Sequence, residues 1–138
     1  MAAFATIDDP GSFFSPTLYT GNGVAYGSGG NAITGVGFQP AFTWIKSRTT
    51  GEEHVVTDAV RGVTKILRPN GNYVQTTATE GLNVFGSDGF TVGLSDQFNT
   101  NTEDYVSWNL KAGTTTGISG GTITPSSYSI NTTSGFGI

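Results

Sequence analysis

The chain has 138 residues, 36% hydrophobic and only 12% charged, with 21 glycines, no cysteine and a formal net charge of −4. That length fits one domain able to bury a real core; the acidic balance and scattered basic residues exclude a nucleic-acid footprint, and the lack of cysteine excludes disulfides, thiolate nucleophiles and cysteine metal sites. No apolar run approaches the roughly 20 residues of a membrane-spanning helix, and a surface of Ser, Thr, Asn and Gly, poor in charge, suits a protein packed into a larger assembly or working outside the cell.

In chain order, Met1-Ala2-Ala3-Phe4 lacks the basic start and apolar run of a signal peptide, so export would proceed by another route such as lysis. Residues 1–16 read as an N-terminal arm with a turn cluster at Asp8-Asp9-Pro10-Gly11-Ser12. Within it, Phe13 and Phe14 either cap the core edge or dock onto a neighbouring subunit. Thr17–Thr20 is a short strand ended by the turn signal Gly21-Asn22-Gly23. A glycine-rich connector follows, then Pro40 and a strand carrying Phe42 and Trp44 on one face and Thr43 and Ile45 on the other. This pattern predicts a central strand covered on both sides, with Phe42 and Trp44 as its main core residues.

His54–Thr57 is the next strand, apolar and β-branched. Residues 58–67 have helical spacing of Val60, Val63, Ile66 and Leu67, but Gly62 and Thr64 favour an irregular or strand conformation. Asn70-Gly71-Asn72 is a turn, and residues 73–77 are a further candidate strand. Leu82–Phe85 is a strand, Ser87-Asp88-Gly89 a hairpin turn, and Phe90, Val92 and Leu94 alternate inward. Residues 95–104 read as a solvated polar loop. In Tyr105–Lys111, the alternation sends Val106, Trp108 and Leu110 in and Ser107, Asn109 and Lys111 out. With both indoles in the interior, Trp44→Ala and Trp108→Ala would each cost ~3–5 kcal/mol. Residues 114–138 are a Thr/Gly/Ser-rich extension, with β-like pieces at 122–124 and 128–130, that completes or flanks a core spanning 17–113. Short strands every 8–12 residues, separated by Gly, Asn and Asp turns, describe an all-β, antiparallel two-sheet sandwich.

Little in this chain points to catalysis. His54 is its one histidine and has no Gly-x-Ser-x-Gly elbow to serve, so it reads as a hydrogen-bonding residue at a strand end. Glu52-Glu53 and Glu103-Asp104 are adjacent pairs that point to opposite faces of a strand, unlike the facing carboxylates of a glycosidase. The oxygens of the 96–104 loop lack the spacing of an EF-hand, so no metal or other cofactor is assigned. Asp58 and Arg61, three apart, read as an ion pair ordering a turn. Tyr19, Tyr26, Phe98 and Tyr105 are the candidates for stacking on a sugar, each weighed against ordinary packing.

The motifs Leu18-Tyr19-Thr20-Gly21-Asn22-Gly23, Ile33 to Pro40, Trp44-Ile45-Lys46-Ser47-Arg48, His54, Asp58-x-Val60-Arg61-Gly62, Ser87 to Gly93 and Tyr105 to Gly113 together resemble a domain family of tailed phages, over roughly residues 17–113. That family is similar to the concanavalin A-like and SPRY-type jelly-roll sandwiches. The resemblance implies a non-enzymatic virion protein, such as a capsid decoration, fibre or tail-associated component, that contacts other virion proteins and forms homo-oligomers in the particle. It also admits a carbohydrate-binding module recognising host glycans and, more remotely, an enzyme acting on polysaccharide. The resemblance brings no catalytic residues; Phe42, Trp44, Asp58, Arg61, Phe90 and Trp108 are read as structural.

Overall fold

A computed structural model of the protein describes residues 7–138. In order, the elements are β1 (Phe14–Thr20), β2 (Asn31–Ile33), β3 (Phe42–Ser47), β4 (Val55–Asp58), β5 (Lys65–Ile66), β6 (Thr76–Thr77), β7 (Leu82–Gly86), β8 (Gly89–Val92), the single-turn helix α1 (Asp96–Asn99), β9 (Asp104–Leu110), β10 (Ile130–Asn131) and β11 (Phe136–Gly137). β1-β9-β3-β4 form a four-stranded sheet and β2-β8-β7 a three-stranded one, with two-stranded ribbons β5-β6 and β10-β11. The paired strands run antiparallel, as the short strands and frequent turns require.

One hydrophobic cluster joins the elements. Ile45, Val55 and Tyr105 come to it from the four-stranded sheet, and Ile33, Leu82, Phe90 and Val92 from the three-stranded sheet; Ile66 and Phe98 complete it. Phe90 is therefore the core residue expected. Leu94 is not: β8 ends at Val92, and Leu94 is exposed. Its neighbour Gly93 lies so close to Glu80 that a side chain there would meet the Glu80 backbone at 2.9 Å.

Three other expectations are corrected. First, the arm is shorter than residues 1–16. A 3-10 turn at Pro10–Ser12, capped by the Asp9 carboxylate accepting from Gly11 N, leads directly into β1, so Phe14, Ser15 and Pro16 belong to the sheet. Residues 1–6 of the expected arm lie outside the described residues. Second, residues 95–104 are no solvated loop: α1 buries Phe98 and Asn99 completely. Third, the C-terminal strands fall at 130–131 and 136–137, whereas residues 122–124 form none and Ile123 is exposed.

The main correction concerns the phase of the central strands. Along β3, Thr43, Ile45 and Ser47 are buried, while Phe42, Trp44 and Lys46 are only half-buried. Along β9, Tyr105, Ser107 and Asn109 are buried, and Val106, Trp108 and Leu110 are half-buried. The alternation is as expected but the inward set is the opposite one. Polar side chains tolerate the interior because they satisfy each other. Thr43 Oγ1 donates to Asn109 Oδ1 at 3.1 Å, and Asn109 Nδ2 donates to the Ser15 carbonyl at 2.9 Å and to Ser107 Oγ at 3.0 Å. Phe42, Trp44 and Trp108 are thus residues of the sheet's outer face.

Thr64 adopts φ 65°, a left-handed conformation that a β-branched residue enters only under strain. Its backbone is fixed there by Thr64 N to Leu82 O and Ala78 N to Thr64 O, both 2.8 Å. Thr64→Asn is expected to raise stability by about 1 kcal/mol in denaturant melts, and a loss of stability would contradict the strain. In the same assay, Ile45→Ala should cost ~2–5 kcal/mol, and Trp44→Ala or Trp108→Ala only about 1–2 kcal/mol each, as fits half-buried rings. Losses at the tryptophans matching that at Ile45 would contradict the observed phase.

Candidate functional site: the outer face of the four-stranded sheet

Strand pairing aligns the outward side chains of β1, β9 and β3 in rows. Phe14 lies opposite Leu110, which lies opposite Phe42; the next row is Pro16, Trp108 and Trp44; the third is Leu18, Val106 and Lys46. Phe14 and Leu18 are 44% and 64% exposed. The Trp44 and Trp108 rings meet edge to face, centroids 5.9 Å apart and planes at 71°. Phe14, Phe42, Trp44, Trp108 and Leu110 line a shallow groove of about 350 Å³. Beyond Phe42, the ring of Phe136 packs against it at 5.8 Å.

Chemically the face is almost wholly apolar. Trp44 Nε1 already donates to His54 Nδ1 at 3.0 Å. At the rim, Lys46 Nζ bonds the carbonyls of Ser47 and Thr50, and Asp58 pairs with Arg61. A contiguous apolar patch in water marks a contact surface.

The edge beside it is closed to strand addition. Lys111 N donates to Phe13 O and Gly21 N to Glu103 O, so by alternation residues 13, 15, 17, 19 and 21 face β9 and residues 14, 16, 18 and 20 face the free edge. Pro16, which has no N–H, sits in the middle of that edge and blunts it. Of the two, the face and not the edge is left open to contact.

The structure does not bring the four sugar-stacking candidates together on a surface. Phe98 and Tyr105 are fully buried. Tyr19 stacks on Tyr105 at 5.1 Å and meets Phe90 edge to face, and its hydroxyl donates to the Phe98 carbonyl at 2.8 Å. Burial of that hydroxyl raises its pKa well above the ordinary tyrosine value, and the neighbouring Tyr105 adds to the shift. Tyr105 is also raised, chiefly by burial; its hydroxyl donates to the Asp96 carbonyl and accepts from Thr100 N. Only Tyr26 of the four has an exposed ring. Their core role follows from α1, whose burial the polar composition of residues 95–104 concealed.

The charged candidates have structural partners. Asp58 Oδ1 accepts from Val60 N and Arg61 N, and its Oδ2 from Arg61 Nε, so the pair orders the turn after β4 as expected. Among the described residues, no group of three or more His, Asp or Glu residues is placed to hold a metal ion. No helix of the described residues is long and apolar enough to cross a membrane. Two carboxylates escaped sequence reasoning because their partners are distant in the chain. Glu80 accepts from Tyr26 N and Leu94 N, and Asp88 from Gly35 N and Gly37 N.

These features define an all-β, antiparallel domain with an exposed apolar sheet face. The chain belongs to the family described as Domain of unknown function (DUF7483), which matches residues 9–138. No curated protein and no solved structure matches it.

The backbone amides that Glu80 and Asp88 accept from lower both pKa values from 4.5 and 3.8. The contribution of each carboxylate is therefore complete above its unfolded pKa and is lost as pH falls through the lower folded value. Melting temperature should accordingly fall with acidification below about pH 4.5, and Glu80→Gln or Asp88→Asn should flatten that fall. An unchanged acid slope in both variants would contradict the assignment.

Proposed function

We propose that this chain is a structural, contact-making component of a tailed-phage particle, and that its outer sheet face is the surface it presents to neighbouring virion proteins. The single observation that carries the contact role is the apolar row system of Phe14, Leu18, Phe42, Trp44, Trp108 and Leu110 on the side of the sheet away from the core. The phage setting comes from the motif resemblance, and the low charge of the chain agrees with a subunit that packs among others. Within this reading, the four-stranded and three-stranded sheets are the two layers of a jelly-roll sandwich of the concanavalin A-like kind, in which both inner faces contribute to one core.

The same geometry weighs against a glycan platform on this face. A sugar-stacking surface needs coplanar rings flanked by hydrogen-bonding groups, but the two indoles are nearly perpendicular and the Trp44 donor is already engaged. The domain reads as non-enzymatic because His54, Asp58, Glu80 and Asp88 are each engaged in a structural hydrogen bond.

The test is incorporation. Particles purified from the producing culture should contain the chain. Leu18→Lys, at an exposed side chain, should melt within a few degrees of the wild type, and Trp108→Lys should lose about the 1–2 kcal/mol expected of a half-buried ring while staying folded; both should nevertheless fail to incorporate. Absence of the chain from particles, or full incorporation of both variants, would overturn the reading.

A further inference from the structure

β10 and β11 form a self-contained hairpin. Asn131 Oδ1 accepts from Thr133 N and Ser134 N, both at 3.1 Å, Gly135 at φ 70° turns the chain, and Ser129 and Ile138 exchange backbone hydrogen bonds. An isolated two-stranded ribbon of this size is not stable by itself and must dock. Its attachments to the rest of the fold are few. Thr114 and Ile130 exchange backbone hydrogen bonds at 3.0 and 2.9 Å, Gly113 N donates to Ile130 O, and Phe136 packs on Phe42 at the border of the apolar groove. Between Thr114 and Tyr128, residues 115–127 form no helix or strand, and every one of them is exposed.

We propose that this hairpin is exchangeable between copies: within one isolated chain it clips onto Phe42 of its own sheet, and where copies are crowded it clips onto Phe42 of a second copy. The inference rests on the outer face being the contact surface. The second copy is the favoured occupant because it offers the identical seat, so the exchanged contacts match those lost. Reach is sufficient: a 13-residue linker rich in glycine and serine spans about 20 Å on average, and facing sheets pack about 10 Å apart. A flexible linker of this length gives the intramolecular seat an effective concentration on the order of millimolar. In dilute solution the hairpin therefore stays on its own sheet, and only local copy densities of that order, such as a particle surface supplies, favour exchange.

The cysteine-free chain makes this testable. A hydrogen-bonded antiparallel pair places Cα atoms about 5.5 Å apart, within disulfide range. Thr114→Cys and Ile130→Cys single variants, mixed at millimolar concentration, oxidised and then diluted, should give a 114–130 heterodimer in clear excess over both homodimers on non-reducing gels. A second variant lacking residues 115–128 leaves one residue between Thr114 and Ile130, too few for the chain to fold back. It should be a dimer or larger at micromolar concentration by light scattering, and Phe136→Ala in that background should release monomers. Heterodimer no more abundant than the homodimers, or a folded deletion variant that stays monomeric, would overturn exchange. Either failure would leave the docking face standing, because Leu18→Lys and Trp108→Lys test that face independently.

Discussion

Asn109 sits at the centre of the four-stranded sheet with its side chain buried, accepting a hydrogen bond from Thr43 Oγ1 and donating to the Ser15 carbonyl and to Ser107 Oγ. This bonding ties β9 to both neighbours on the inward side. Because side chains alternate with period two, it also decides where everything else on those strands goes. With Asn109, Thr43 and Ser107 inside, Trp108, Trp44 and Leu110 must lie outside. Turning the strands over would bury the indoles but carry Ile45 and Tyr105 out of the hydrophobic cluster and move the amide and hydroxyls to the wet face, where water competes for these bonds. The polar row borders the hydrophobic cluster on the same inner face, with Ser107 opposite Ile45, and the interior accepts it because its members bond one another.

Much of the fold was legible in the sequence. The strand content, the hairpin at Ser87-Asp88-Gly89, the irregular stretch after Asp58 and the inward Phe90 and Val92 all follow from turn residues and alternation. Alternation identifies which residues share a face; it does not say which face is wet. For β3 and β9 the rule that apolar residues go inward picked the wrong side. A clue was present: of the supposed solvent set Ser107, Asn109 and Lys111, the two that lie within β9, Ser107 and Asn109, are small and uncharged, unlike the Lys and Glu of an ordinary exposed face. α1 was illegible for a different reason. Its burial depends on contacts from far along the chain, with Tyr19 reaching the Phe98 carbonyl and Asn22 and Asn31 meeting Asn99.

The inverted phase links fold to role. An apolar sheet face in water contributes little to the stability of the isolated domain and raises the risk of indiscriminate association. Pro16 at the free edge limits one such risk, strand-to-strand addition, and leaves the face itself available. Phe136 covers one border of that face with the domain's own chain; under the proposed hairpin exchange, the coverage of Phe42 is the step at which folding and assembly meet. In this member of the DUF7483 family the face is defined by particular residues, Phe14, Leu18, Phe42, Trp44, Trp108 and Leu110.

Trp44 and Trp108 are the two tryptophans of the chain, and both lie on this face, so intrinsic fluorescence reads the central claim without any mutation. In the isolated domain, acrylamide should quench the emission readily, and the spectrum should shift to shorter wavelength with loss of quenching when the protein is assembled with its partners. Emission that is already blue and resistant to quenching in the isolated domain would contradict the outward placement of the indoles, and with it the contact face.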